Sequence, residues 1–262
     1  MAGRSKNKNK NSNKSASQNT DSNGESPQVK KKFHIKDLKK FRPLTVTQER
    51  TFEIWNDSTK SMFLNGSAGT GKTFISLYLA LSDLLCPELG YDKIVIIRSV
   101  VPSRDIGFLP GSAEEKIEVY EKPYKAICDE FFPFTKSYEN LKALGKIDFE
   151  PTSYLRGTTF KNCIVIVDEA QNMTFQELST VITRLGNDCR IIFSGDSKQN
   201  DLVQKRFDVS GFNQFLSIIE KMRDYFSVVT FNHMDIVRSD LVRDFIVKSE
   251  LVTNCSPLQM HH

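Results

Sequence analysis

The residues of this chain best suited to chemistry form one short glycine-rich loop. Its sequence, Gly-Ser-Ala-Gly-Thr-Gly-Lys-Thr, fits the pattern G-x-x-x-x-G-K-[ST] and lies between an apolar run at 62–64 and a helix-favouring stretch at 74–80. In such a loop, backbone N–H groups and the helix N-terminus hold a polyphosphate, the lysine reaches the outer phosphates, and the hydroxyl binds Mg²⁺. The pattern predicts a nucleoside triphosphate site made by Gly66, Ser67, Ala68, Gly69, Thr70, Gly71, Lys72 and Thr73.

A pair of acidic residues follows a predicted strand in the middle of the chain. Residues 163–167 are apolar and rich in β-branched side chains, as in a strand buried on both faces, and Asp168 and Glu169 come next. The aspartate is suited to hold Mg²⁺, and the glutamate to polarise the water that attacks a γ-phosphate, which favours hydrolysis over transfer to a metabolite. Alternatively the acids cap the next helix, although Thr174 and Glu177 already supply that helix with a capping box.

A third apolar strand is predicted from Arg190 and ends in the polar pair Gly195 and Asp196. A side-chain amide beyond such a strand can hold the attacking water, so Gln199 is the candidate for this role, with Asp196 supporting Mg²⁺ or the loop. The alternative is an ordinary turn at Gly195 and Asp196. Their position after the strand that carries Asp168 favours the functional interpretation.

Several longer stretches resemble a known family. They are residues 98–111, 154–160, 168–172, 183–186 and 235–238, in order within 45–250. On these stretches the chain resembles the PhoH-like family of P-loop ATPases, phosphate-starvation-inducible proteins of bacteria and phages that are related to the ATPase core of superfamily 1 helicases. The chain departs from the family around Gln199, and at Ser239 and Asp240, which replace a common His-Pro pair.

The resemblance implies ATP and Mg²⁺ as ligands, with Thr73 and Asp168 as the metal-binding residues. Gln48 lies about 20 residues before the loop, where helicase-like ATPases use a glutamine to contact adenine. The alternative is that Thr45 and Gln48 form only a helix capping box.

The resemblance also bears on how the site is completed. In helicases of this superfamily a second RecA-like domain supplies an arginine, but only about 60 residues follow Gln199 here. A ring or another head-to-tail homo-oligomer, a hexamer by family resemblance, would supply it from a neighbouring subunit. Arg184 and Arg238 are the candidates, and the alternative for each is a structural salt bridge.

Two segments are candidates for a nucleic-acid surface. Residues 98–111 and 154–160 combine cations that could contact phosphates with aromatic rings that could stack on bases. Alternatively the rings belong to the core and the cations pair with acidic neighbours. The candidates are Arg98, Arg104, Phe108, Tyr154 and Arg156.

The positive charge is concentrated at the start of the chain. Residues 1–40 contain eleven Lys or Arg and three Asp or Glu, a net charge of +8, whereas the rest of the chain carries −4. Residues 1–32 are predicted to be a disordered basic tail. The tail either contacts nucleic-acid phosphates without reading sequence or only keeps the protein in solution.

No apolar stretch approaches the length of a membrane span and no signal peptide is evident, so we expect no membrane partner and a cytoplasmic location, the host cytoplasm if a phage encodes the protein. The five cysteines include no Cys-x-x-Cys, which argues against a zinc site or a disulfide framework.

The order of the elements predicts an α/β fold with a parallel sheet and helices on both faces, and the resemblance implies that this fold is a RecA-like P-loop NTPase. The domain is predicted at 33–252, with a flexible C-terminus at 253–262, and a helix near 113–131 is expected to kink or break at Pro123. One strand–helix unit separates the P-loop strand from the Asp168 strand, which resembles the RecA-like branch with a strand inserted between them.

Two functions follow from these expectations. The leading hypothesis is an ATPase that binds or remodels RNA or single-stranded nucleic acid in a helicase-like manner. The alternative is a nucleotide-dependent switch or scaffold that assembles with protein partners and does not translocate.

Overall fold

The computed structural model describes residues 32–100, 113–155, 157, 159–197 and 211–254, apart from the side chains of 113–116 and 253–254. The predicted tail at 1–32 lies outside the described residues except for Lys32, and so do eight residues of the predicted C-terminal segment. Among the candidate site residues, those outside the described part are Arg104, Phe108, Arg156 and Gln199.

The described chain alternates strands and helices. The strands are β1 (Ser61–Gly66), β2 (Lys93–Arg98), β3 (Ile147–Pro151), β4 (Cys163–Asp168), β5 (Arg190–Gly195) and β6 (Phe226–Phe231). The helices are α1 (Val46–Asn56), α2 (Lys72–Leu84), α3 (Ala113–Phe131), α4 (Ser137–Ala143), α5 (Phe175–Thr183), α6 (Gly211–Ile219) and α7 (Asp240–Asn254). Within the described ranges, no helix is both long and apolar enough to cross a membrane.

All six strands are parallel and follow the order β3-β2-β4-β5-β1-β6 across one sheet. The strand β5 separates β1, which leads into the P-loop, from β4, which ends at Asp168. This confirms the predicted RecA-like fold with an inserted strand. Because the strands are parallel, their carboxyl ends share one edge of the sheet, where ligands of such folds bind.

Helices cover both faces of the sheet, as predicted. Alternate side chains of β4 point to opposite faces: Ile164 and Ile166 pack in one core cluster with residues of α1 to α4, and Val165 and Val167 pack in the other with residues of α5 and α6. A strand apolar on both faces can only lie inside a sheet that is covered on both sides.

Pro123 lies inside the helix α3, which continues to Phe131 and is not broken there. A kink at this proline stays a prediction. The short helix α4 and the edge strand β3 were not predicted. The strand β3 alternates buried and partly exposed residues over only five positions, Ile147–Pro151, and this pattern is too short to be distinctive.

The cysteines of the described part are free thiols, namely Cys86, Cys128, Cys163 and Cys189.

A buried ionic cluster fixes the helices that carry the nucleotide-site residues. The Arg190 guanidinium lies 3.3 Å from the centre of the Trp55 ring and forms an ion pair with Asp83 at 3.2 Å. The Trp55 indole N–H donates to the same carboxylate at 3.0 Å. Because Trp55 belongs to α1 and Asp83 to α2, the cluster joins these two helices at the start of β5.

Candidate active site

The predicted phosphate loop connects β1 to α2 at the carboxyl edge of the sheet. A Cβ atom at Gly66 would lie 2.0 Å from the carbonyl oxygen of Phe231 on the adjacent strand, so only glycine fits there. At the start of α2, Gly71 has a φ of 83°, a left-handed conformation that glycine adopts without strain. These two positions explain why the loop needs its first and last glycines.

The side chain of Lys72 folds back over the loop that it follows. Its ammonium donates to the carbonyl oxygens of Gly66 at 2.6 Å and Ser67 at 2.8 Å. Burial lowers the pKa of Lys72, while the nearby negative charges of Asp196 and Glu169 act in the opposite direction. The cation is therefore placed at the loop and can exchange its carbonyl partners for phosphate oxygens.

The two predicted metal-binding residues come together although 95 positions separate them. The Thr73 hydroxyl at the start of α2 donates to Asp168 Oδ1 at 3.0 Å, and Asp168, at the end of β4, is only 3% exposed. Mg²⁺ takes oxygen ligands and usually uses one or two carboxylates together with phosphate oxygens and water. A carboxylate and a hydroxyl beside a phosphate loop fit this ion.

Glu169 occupies a strained position directly beyond β4. Its φ of 51° and ψ of 42° are left-handed, a conformation that costs a non-glycine residue about 1 kcal/mol or more and often marks a functional site. Burial raises the pKa of Glu169, and the charge of Asp168 raises it further, whereas the Arg98 guanidinium lowers it. A carboxylate with a raised pKa is a better base near neutral pH.

Gln171 connects Glu169 to the end of β5, a role that was not predicted. Its side-chain amide donates to Glu169 Oε2, and its Oε1 accepts the backbone N–H of Asp196 at 3.1 Å. The sequence contained a signal for this role, since Gln171 stands two residues after Glu169 within a stretch that resembles the family. Gln171 therefore fixes the Glu169 carboxylate relative to the end of β5.

These groups surround one cavity of about 470 Å³ at the carboxyl edge of the sheet. Its lining includes P-loop residues together with Asp168, Glu169, Gln171, Asp196 and Arg238. Asp196 follows β5 directly, is 2% exposed and lines the cavity. Residues from three separate strand ends thus face a single space that could hold phosphates.

Gln48 contacts the P-loop directly. Its Nε2 donates to the carbonyl oxygen of Thr70 at 3.1 Å, and its Oε1 accepts the backbone N–H of Leu44 at 2.8 Å. The alternative role, a capping box of Thr45 and Gln48, is present only in part. Thr45 Oγ1 accepts the backbone N–H of Gln48 at 3.2 Å, but the Gln48 side chain accepts from the backbone N–H of Leu44 and not from that of Thr45. A helix cap alone therefore does not account for the Gln48 side chain.

A second cavity of about 310 Å³ adjoins the first and shares Gly69, Gly71, Phe74 and Arg238 with it. Apolar side chains and the Gln48 amide line it, as expected for a pocket that receives a flat aromatic base. The segment before α1 was not predicted to belong to the site, yet it lines this cavity with Phe41, Arg42, Pro43 and Leu44.

Comparison with known proteins agrees with this geometry. Residues 40–249 match the family described as PhoH-like protein. The chain belongs to the PhoH-like family. A PhoH-like protein of Synechocystis sp. is 36% identical over 197 residues, which cover 74% of this chain and 58% of that protein. Protein PhoH of Escherichia coli is 36% identical over 71% of this chain and 51% of its own length. The chain spans about half the length of the curated relatives it matches.

Among solved structures, a Pif1 helicase from Candida albicans is 17% identical, with a TM-score of 0.33 over 85% of this chain and 50% of that one. This likeness is too distant for any conclusion. Family membership and the P-loop geometry together identify the chain as a PhoH-like P-loop nucleotide-binding protein.

The two candidate arginines of this PhoH-like protein lie in different places. Arg238 lines both cavities of its own chain, and its Cγ lies 3.1 Å from where a Cβ at Gly69 would be. Arg184 caps the C-terminal end of α5, which runs from the end of β4 back toward the start of β5. Arg184 therefore lies toward the amino edge of the sheet and does not line either cavity.

The predicted nucleic-acid residues of this PhoH-like chain that the structure describes, Arg98 and Tyr154, lie in different environments. Tyr154 is 58% exposed beyond the carboxyl end of β3, so it is not a core residue. Arg98 is half-buried, pairs in register with Asp168 on β4, and lies near Tyr124 and Glu169. Arg98 therefore fits the alternative interpretation, in which the arginine lies among acidic neighbours, better than it fits a role in contacting nucleic-acid phosphates.

Proposed function

We propose that this PhoH-like protein hydrolyses ATP in a Mg²⁺-dependent reaction and acts in the cytoplasm. We further propose that hydrolysis is coupled to the binding or remodelling of RNA or single-stranded nucleic acid. The observation that supports hydrolysis most is that Lys72, Asp168 and Glu169 line one cavity although they come from two different strand ends. Asp168 and Glu169 together provide a metal-binding carboxylate and a base, which phosphate binding alone does not require.

Each residue has a distinct part in the proposed reaction. Lys72 leaves the loop carbonyls and contacts the β- and γ-phosphates, while the loop N–H groups hold the same phosphates. Thr73 and Asp168 would hold Mg²⁺, which neutralises charge on the phosphate oxygens when it is bound. Glu169 orients and polarises the attacking water, with its carboxylate held by Gln171. The Gln48 amide is placed to contact the base.

Support for a nucleic-acid partner comes from Tyr154 and from the basic N-terminal residues. Tyr154 is exposed beyond the carboxyl end of β3 and is available to stack on a base. Residues 1–40 carry a net charge of +8, which favours contacts with phosphates of any sequence.

The proposed function predicts that single-stranded RNA or DNA stimulates ATP turnover. Tyr154→Ala should weaken nucleic-acid binding by about 1–3 kcal/mol, the usual loss when one stacked base loses its aromatic partner. Steady-state phosphate release with and without oligonucleotides measures both effects. Tyr225→Ala is the matched control. Tyr225 is 68% exposed, but it precedes β6 and therefore lies at the amino ends of the strands, away from Tyr154. ATP turnover that is unchanged by every oligonucleotide would favour the alternative function, a nucleotide-dependent switch.

Deleting residues 1–32 is expected to leave basal ATP turnover unchanged and to weaken nucleic-acid binding. The deletion removes eight Lys or Arg, and each lost phosphate contact lowers the salt dependence of binding to a single strand by about 0.7 in the log–log slope. Titration of labelled RNA at several salt concentrations measures this slope. A variant with these eight residues changed to glutamine keeps the length of the tail and should behave like the deletion. An unchanged slope would make the tail a solubility device.

We also propose a ring or another closed head-to-tail homo-oligomer, a hexamer by analogy with ring-forming ATPases. The placement of Arg184 supports this arrangement, because a head-to-tail contact can bring the amino edge of one subunit to the nucleotide site of the next. We propose that Arg238 acts in its own chain, because its side chain lies beside that chain's P-loop. Arg184 is thus the candidate for an arginine supplied by a neighbouring subunit.

A further inference from the structure

Two hydroxyl groups hold the carboxylate of Asp168. Thr73 Oγ1 donates to Oδ1 at 3.0 Å, and the Tyr124 hydroxyl donates to Oδ2 at 2.8 Å. Tyr124 is 1% exposed and Asp168 is 3% exposed, so water competes little for the bond between them. Each oxygen of the carboxylate has its own donor, and rotation of the group would break both bonds.

The hydrogen bond from Tyr124 to Asp168 has a defined direction. An ionised carboxylate can only accept, so the phenol proton of Tyr124 points to Asp168 Oδ2. Such a hydrogen bond is stronger where water is excluded.

The neighbouring helix carries a second buried tyrosine whose partner lies elsewhere. Tyr138 on α4 is fully buried, and its hydroxyl donates to Glu121 on α3 at 3.0 Å. A buried hydroxyl needs an acceptor, and Glu121 meets that need for Tyr138 without touching the nucleotide site. The acceptor of Tyr124 is instead the carboxylate that would bind Mg²⁺, so its contact has a consequence beyond packing.

We propose that Tyr124 is a positioning residue that fixes Asp168 in the orientation that receives Mg²⁺. The proposal rests on the proposed function, because it concerns the same Mg²⁺–ATP site. Thr73 can donate its proton to Oδ1 and still offer a lone pair to the ion, so it holds only one of the two carboxylate oxygens. Tyr124 is the donor that holds the other oxygen, Oδ2, and is not itself expected to bind the ion.

The test is the Mg²⁺ requirement of nucleotide binding by full-length Tyr124→Phe, which loses only the hydroxyl. A fluorescent ATP analogue is titrated at increasing Mg²⁺ and, separately, in EDTA. The half-saturating Mg²⁺ concentration should rise by about 10- to 100-fold, the usual effect of losing a group that orients a metal ligand. Affinity in EDTA should stay unchanged, because the P-loop contacts with phosphate are intact.

Tyr138→Phe is the matched control, since it removes the same atom from a buried tyrosine bonded to a carboxylate away from the site. Its Mg²⁺ requirement should equal that of the wild type. If Tyr124→Phe unfolds more readily than Tyr138→Phe, all titrations are made at a temperature at which circular dichroism shows both variants to be folded.

An unchanged Mg²⁺ requirement in a folded Tyr124→Phe protein would overturn the proposal, and so would an equal rise in Tyr138→Phe. A wild-type protein whose nucleotide binding ignores Mg²⁺ would contradict the proposed function itself, an outcome distinct from any difference between variants.

Discussion

Replacing Glu169 with glutamine is expected to slow ATP hydrolysis by about 10²- to 10⁴-fold, the usual contribution of a general base. The amide keeps the shape of the side chain but cannot polarise the attacking water. Binding of Mg²⁺–ATP should persist, because Lys72, Thr73 and Asp168 are unchanged. Single-turnover hydrolysis and equilibrium nucleotide binding, measured on the same preparation, separate the two effects.

The informative comparison for Glu169→Gln is Lys72→Ala, which should weaken binding of the triphosphate itself. The Lys72 ammonium is the cation that already sits against the loop carbonyls where phosphates would bind. Hydrolysis at the wild-type rate by Glu169→Gln would show that another residue is the base. Loss of nucleotide affinity in that variant would instead mean that Glu169 acts in binding.

Replacing Arg184 with alanine is expected to lower ATP turnover by about 10³- to 10⁵-fold, the range for an arginine that neutralises γ-phosphate charge. Nucleotide binding by the isolated subunit should change little, since Arg184 does not line its own nucleotide cavity. Mixing inactive Arg184→Ala with inactive Lys72→Ala should restore part of the activity. Some interfaces in the mixture would join an intact P-loop to an intact arginine.

Arg238→Ala is the matched partner in this experiment. Because Arg238 lies at the P-loop of its own chain, mixing Arg238→Ala with Lys72→Ala should restore nothing: every subunit then lacks one of the two cations. Restoration by the Arg238 mixture would return that residue to the subunit interface. Failure of the Arg184 mixture despite proven subunit exchange, or a fully active monomer by light scattering, would refute the head-to-tail arrangement.

The sequence by itself determined the parts of this protein that depend on neighbouring residues. The glycine pattern before Lys72 specifies a turn and an anion site within eight positions, and the apolar run before Asp168 specifies a strand covered on both faces. The order of these elements was enough to predict a parallel sheet with its site at the carboxyl edge. The edge strand β3 was not predicted, because its alternating pattern over five residues is too short to be distinctive.

Only the tertiary structure decided which side chains meet across the fold. Tyr124 reaches Asp168 across 44 positions, Gln48 reaches Thr70 across 22, and Arg238 returns to the P-loop from the end of the domain. Arg98, predicted to contact nucleic acid, turned out to lie among the carboxylates. Local patterns specify which face of a helix or strand is buried, but not which partner that face meets. Such contacts depend on the order of the strands and on how the helices pack over the sheet.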